Sequence, residues 1–147
     1  MSIQDRDLGW KKIRREMLAA DGTETVVGIF GHGGDASDDL AARAAVHEYG
    51  SEKMNIPSRP FMRQTYENNK DKIGRVQASL YAQVLSGRFS FKRGLSRLGE
   101  WYTDRIQQTI RRGNFQPLKP ATILAKGSSK PLIDTKQMHN AVTHKET

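Results

Sequence analysis

The chain has 147 residues, 36% hydrophobic and 7% aromatic, with 24 Lys and Arg against 16 Asp and Glu for a net charge of +8. That length fits one domain over residues 1–147, and the thin apolar fraction points to stability shared with neighbouring subunits. The absence of cysteine excludes disulfides and zinc–thiolate centres, no apolar run approaches the roughly 20 residues of a membrane span, and the opening Met1–Asp7 lacks the apolar core of a secretory signal, so an intracellular protein is expected.

Asp7 to Ala20 reads as a helix with Trp10, Ile13 and Met17 on one face, three and four residues apart, and Asp21-Gly22 stops it. Glu24 to Phe30 reads as a strand from its β-branched Thr25, Val26 and Val27. The glycine loop Gly31-His32-Gly33-Gly34 follows. Ser37 or Asp38 is expected to cap an alanine-rich helix that ends at Tyr49, with Gly50 as its stop. Next comes an elbow, Ile56-Pro57-Ser58-Arg59-Pro60-Phe61. Each proline holds the residue before it extended, and Pro60 suits the first turn of a helix because its missing N–H is not needed there.

From Phe61 to about Leu85 a helical period carries Met62, Tyr66, Ile73, Val76, Leu80 and Val84, with Gly74 as a candidate kink and Gly87 as the stop. Arg88 to Arg93 reads as a short basic connection holding Phe89 and Phe91. A second long helix is expected from about Leu95 to Arg112, striped by Leu95, Leu98, Tyr102, Ile106 and Ile110, with Trp101 beside the stripe. Residues 114–131 form a loop-rich segment in which Ala121 to Lys126 can make one helical turn. Asp134 or Thr135 caps a short turn, and Ala141 to His144 forms a last strand. The fold class is therefore α+β: a small mixed or antiparallel sheet packed against two long helices, plus a shorter N-terminal helix. Two strands are few for a sheet, so a third is expected in a stretch read as loop or helix.

The charge is unevenly placed. Residues 1–58 carry a net −3, residues 59–112 a net +8 and residues 113–147 a net +3. A basic excess confined to the chain after the elbow suits a polyanion, nucleic acid being the commonest one, with a solvated basic surface lacking a specific partner as the alternative. Arg88, Lys92, Arg93, Arg111 and Arg112 lie in this basic stretch and are the candidate DNA-facing residues if the partner is DNA, as the resemblance given below implies. Phe89 and Phe91, interleaved with Arg88, Lys92 and Arg93, suit either base stacking or a connection that buries two rings, and the second is favoured.

No catalytic constellation emerges, so an enzyme is not expected. The Gly31–Gly34 stretch has no Gly-x-Ser-x-Gly partner and reads as a plain loop. Asp35, Asp38 and Asp39 lack calcium-loop spacing and suit a helix N-terminus. His47 reads as a packed histidine, and His139 and His144 lack a third ligand. No cofactor or metal is implied.

Three pieces then stand in order: Val26-Val27-Gly28-Ile29; the run Leu40 to Gly50 followed by Ile56-Pro57-Ser58-Arg59-Pro60-Phe61-Met62-Arg63; and Lys130-Pro131-Leu132-Ile133-Asp134-Thr135-Lys136-Gln137-Met138. They resemble the tail-completion and virion-morphogenesis proteins of tailed bacteriophages. That family shows VGI, then A..NEFG...IPARPF.R, then PLIDTG.L..S. Here Ser58 stands for the alanine, His47 for the asparagine and Lys136 for the glycine after Asp-Thr.

The resemblance implies a structural virion protein, assembled in the bacterial cytoplasm, that sits at the head–tail junction. It implies a ring of about six copies that meets the head connector on one side and the tail terminator or tail tube on the other, with DNA passing through. Pro57, Arg59, Pro60, Phe61 and Arg63 become the elbow that sets a long helix at a fixed angle. Arg59 and Arg63 are then expected to meet an acidic neighbour or DNA, with a salt bridge inside the subunit as the equal alternative for Arg59. A small sequence-independent nucleic-acid-binding protein, and a tail-terminator or minor tail protein, are the alternative readings.

Overall fold

The computed structural model describes residues 7–31, 36–127, 129–132 and 137–147. In chain order the elements are α1 (Trp10–Ala20), β1 (Thr25–Gly28), α2 (Ala36–Tyr49), α3 (Phe61–Leu85), α4 (Phe91–Arg112), α5 (Pro120–Lys126), α6 (Gln137–Asn140) and β2 (Thr143–Glu146). This is the expected α+β class: two long helices packed on each other and on a two-stranded antiparallel sheet, with a short N-terminal helix. Of the glycine loop Gly31–Gly34, residues 32–34 lie outside the described residues, as does the segment 133–136 with Asp134 and Thr135.

Helix α1 starts three residues later than expected because Asp7 stays outside as a cap. Its Oδ1 accepts from the amides of Gly9 at 3.0 Å and Trp10 at 2.7 Å, placing a negative charge at the positive helix end. The expected apolar face is not buried. Trp10 and Met17 are exposed, and α1 is held through its polar side: Lys12 Nζ donates to the Gly87 carbonyl at 3.1 Å, and Glu16 Oε2 accepts from the Phe91 amide at 2.8 Å.

That last bond also moves the start of α4. Residues 91–93, expected as connection, are helical because Ser90 Oγ accepts from the Arg93 amide and Glu16 takes the Phe91 amide. Phe91 stacks on Tyr81 with ring centroids 6.1 Å apart, and Phe89 carries the Arg97 guanidinium at 4.9 Å. Both rings thus have partners inside the chain.

The sheet pairs Thr25 with Glu146 through to Gly28 with Thr143. Reciprocal Glu24 and Thr147 backbone bonds at 2.9 and 3.1 Å extend it. β2 begins later than the expected Ala141. The Ala141 amide belongs to α6 through the Gln137 carbonyl, and Val142 drops into the core at 3% exposure. A third strand is not found among the described residues; the nearest approach is an isolated bridge between Ser51 and Ile56. Gly99 lets α4 lie directly on this sheet. A Cβ there would meet the His144 ring at 2.5 Å and Thr25 Oγ1 at 2.8 Å.

The core gathers Ala44, Phe61, Ile106, Ile110, Leu132, Met138 and Val142. It sits where the start of α3 and the end of α4 meet α2, α6 and β2. The expected α4 stripe is present, with Ile106 and Ile110 buried. The expected α3 stripe turns inward in its second half, where Ile73, Val76 and Leu80 are half-buried and Val84 is buried, and departs in its first half. Tyr66 is half exposed, and the buried residues are Phe61, Thr65, Asn69 and Val84, so polar side chains occupy part of the helix–helix contact.

Candidate functional site

The elbow is a closed hydrogen-bonding unit between the end of α2 and the start of α3. Gly50, at φ 80°, ends α2 in the left-handed region that a side chain resists. A Cβ on it would also press against the Ser58 amide at 2.9 Å. Ser51 and Ile56 exchange backbone bonds of 2.8 and 2.9 Å across a tight turn, and Asn55 in that turn has φ 51°. Ile56 to Pro60 then run back along the last turn of α2.

That return path meets the free groups of both helix ends. On α2, the Arg59 amide donates to the His47 carbonyl at 2.6 Å, Ser58 Oγ to the Glu48 carbonyl at 2.7 Å and the Gly50 amide to the Val46 carbonyl at 2.8 Å. On α3, the Phe61 amide donates to the Arg59 carbonyl at 2.8 Å. The Met62 and Arg63 amides donate to Glu48 Oε2 and Oε1 at 2.8 and 3.0 Å. Pro60 is the N-cap, one residue outside the first turn where it was expected. It has no amide to satisfy, and its carbonyl accepts from Gln64 at 2.8 Å. Every opening amide of α3 is therefore engaged.

Glu48 is buried at 8% exposure, and its charge lies where the α3 dipole is positive. The first turn of α3 contains no acid of its own, so the cap comes from the preceding helix. Sequence reasoning missed Glu48. The available signal was a helix beginning Pro-Phe-Met-Arg without an acidic cap, just after an acid at the end of another helix.

The other elbow residues divide by burial. Phe61 is 1% exposed and anchors the core; Pro57 and Pro60 are half-buried and Arg63 is exposed. Arg59 is 4% exposed, and its Nε donates to the Gln116 carbonyl at 3.1 Å. Burial pulls its pKa below the ordinary guanidinium range, although a guanidinium keeps its proton. Among the described residues no carboxylate lies at ion-pair distance from it. Arg59 thus ties the elbow to the 114–119 segment through a backbone carbonyl. It is neither in a described salt bridge nor on an open surface. A cleft of about 610 Å³ lies between the elbow and this segment, walled by Tyr49, Pro57, Arg59, Pro117 and Leu118.

The candidate DNA-facing residues do not form one patch. Arg88, Lys92 and Arg93 are exposed around the α3–α4 turn, with Lys92 Nζ 4.0 Å from Glu146. Arg111 and Arg112 are exposed at the far end of α4, roughly 27 Å along the axis from Arg93 at 1.5 Å per residue. Among the described residues no cluster of three or more His, Asp or Glu could hold a metal ion, and no helix is long and apolar enough to cross a membrane.

Compared with protein-family models, curated proteins and solved structures, the chain matches none of them.

Proposed function

We propose that this chain is a non-enzymatic structural subunit of a tailed-phage virion. In this reading several copies, six in the simplest form, close into a ring at the head–tail junction. The observation that carries it is the interlocked elbow. The two halves of the motif that resembles tail-completion proteins, His47-Glu48-Tyr49-Gly50 and Ile56 to Arg63, meet in a single hydrogen-bonded joint. A ring subunit needs such a joint because an angular error repeats in every copy and prevents closure. Exposed Trp10, Met17 and Leu18 on α1, with Tyr81 and Leu85 on α3, supply apolar surface for contacts between copies or with neighbours.

The mechanism is geometric. The ring docks on the connector of a filled head, offers its other face to the tail and leaves a passage for DNA. Its basic charge balances phosphate without reading sequence. Loss of the gene is expected to leave filled heads beside separate tails, seen by electron microscopy of a mutant lysate. Empty heads as the main product, or a single asymmetric copy at the neck of assembled particles, would overturn this reading.

A further inference from the structure

We propose that the polar seam between α3 and α4 is a site for the phosphodiester backbone of nucleic acid. Gln64, Asn68 and Lys72 follow one another every four residues on α3, so they share a face. Arg105, Gln108 and Arg112 lie three and four residues apart on α4. The two rows line an open cleft of about 340 Å³, and none of its described lining residues is acidic.

The seam departs from an ordinary helix contact in its floor as well as its walls. Thr65 is fully buried and bonds through Oγ1 to the Phe61 carbonyl at 2.7 Å and to Thr109 Oγ1 at 2.8 Å. Asn69, also buried, donates to the Thr65 carbonyl at 2.8 Å. Both side chains are hydrogen-bonded within the protein, so the contact beneath the cleft is polar and satisfied.

Arg105 is positioned by its neighbours. It bonds Asp104 Oδ2 at 2.8 Å and Gln108 Oε1 at 3.1 Å, and its buried Nε has no partner. Asp104 offsets that one charge and also accepts from Gln108 Nε2 at 2.9 Å, so Gln108 braces Arg105 and the free donors of the two rows are Gln64, Asn68, Lys72 and Arg112. Lys72 and Arg112 are exposed and have no described carboxylate at ion-pair distance, so their charge is available to a ligand.

The arrangement favours a strand of phosphates over a compact anion. Its donors are spread in rows, not gathered at a point. The α3 row covers roughly 12 Å at 1.5 Å per residue, several nucleotides of rise at about 3.4 Å each along one strand. Amides and cations without an apolar base pocket bind backbone and carry no sequence information.

This inference rests on the part of the proposed function in which the chain meets DNA, and not on where in a particle it does so. The test is fluorescence anisotropy with labelled single- and double-stranded oligonucleotides of unrelated sequence, over a range of salt. The double variant Lys72→Gln/Arg112→Gln is expected to weaken binding equally on every sequence and to lower the salt slope by about two, one for each phosphate no longer neutralised. Lys70→Gln/Arg75→Gln removes the same charge from α3 outside the cleft and is expected to leave most of the slope intact. No wild-type binding at low salt, an equal loss in both double variants, or pyrophosphate displacing the oligonucleotide at equal concentration would each overturn the seam. Filled heads and separate tails in the null mutant together with no DNA binding would sink the seam alone. Seam-dependent binding with an unaltered null mutant would sink the neck reading alone.

Discussion

Glu48 and Met62 stand 14 residues apart in sequence, and the carboxylate of the first caps the amide of the second at 2.8 Å. The same carboxylate takes the Arg63 amide through its other oxygen, so one side chain serves two free donors and fixes α3 to the end of α2. Glu48→Ala is expected to destabilise the fold by about 2–3 kcal/mol, the range for a buried charge-assisted cap. Glu48→Gln keeps one acceptor and loses the charge, so about 1–2 kcal/mol is expected. Urea melts of the three proteins check the order, and an alanine variant as stable as wild type would show that the cap contributes nothing.

Two glycines in long helices are expected to respond in opposite directions. At Gly99 a methyl group runs into His144 and Thr25, so Gly99→Ala forces α4 off the sheet and costs about 1–3 kcal/mol. At Gly74 nothing lies within 4 Å, and α3 continues through it without a break. Gly74→Ala is therefore expected to stabilise by about 0.5–1 kcal/mol. Thermal melts distinguish the two, and a stabilised Gly99→Ala would mean that sheet and helix are further apart than described.

These glycines also show what is legible in the sequence. The span Phe61–Leu85, the stops at Gly50 and Gly87 and the Ile106–Ile110 stripe follow from local periodicity and punctuation, which act within a few residues. The α4 start is not legible because half of its cap, Glu16, comes from another helix. The polar seam escapes notice because periodicity weighs apolar residues, and the α3 face turned inward carries Thr65 and Asn69. Arg59 stands out as a charge beside two prolines. Its partner is a backbone carbonyl at Gln116, which has no sequence signature.

Tyr102 gives a prediction in pH. Burial raises its pKa above the ordinary 10.0, and the nearby Tyr66 and Glu48 raise it further. The folded state therefore favours the neutral phenol, while the unfolded chain ionises at the ordinary value. That contribution is fully present below pH 10 and is lost as pH rises through the folded value. Urea melts from about pH 8 to 11 are expected to show a smaller alkaline loss for Tyr102→Phe than for wild type. Parallel curves would assign the loss to other groups.

Under the proposed ring reading, the elbow prolines separate folding from assembly. Pro57→Ala with Pro60→Ala loosens mainly the unfolded chain, at about 0.4–1 kcal/mol each. The hydrogen bonds through Glu48, Ser58 and the Arg59 amide remain, so a domain with a margin of about 5–15 kcal/mol stays folded. Phe61→Ala opens the core and is expected to cost about 3–5 kcal/mol. In a closed ring the joint angle is repeated in each subunit, so small spread at the elbow accumulates around the circle. The double-proline variant is thus expected to melt near wild type yet complement a null phage poorly, whereas Phe61→Ala fails in both assays. If the double-proline variant restores full infectivity, the hydrogen bonds alone set the angle and the prolines are ordinary loop punctuation.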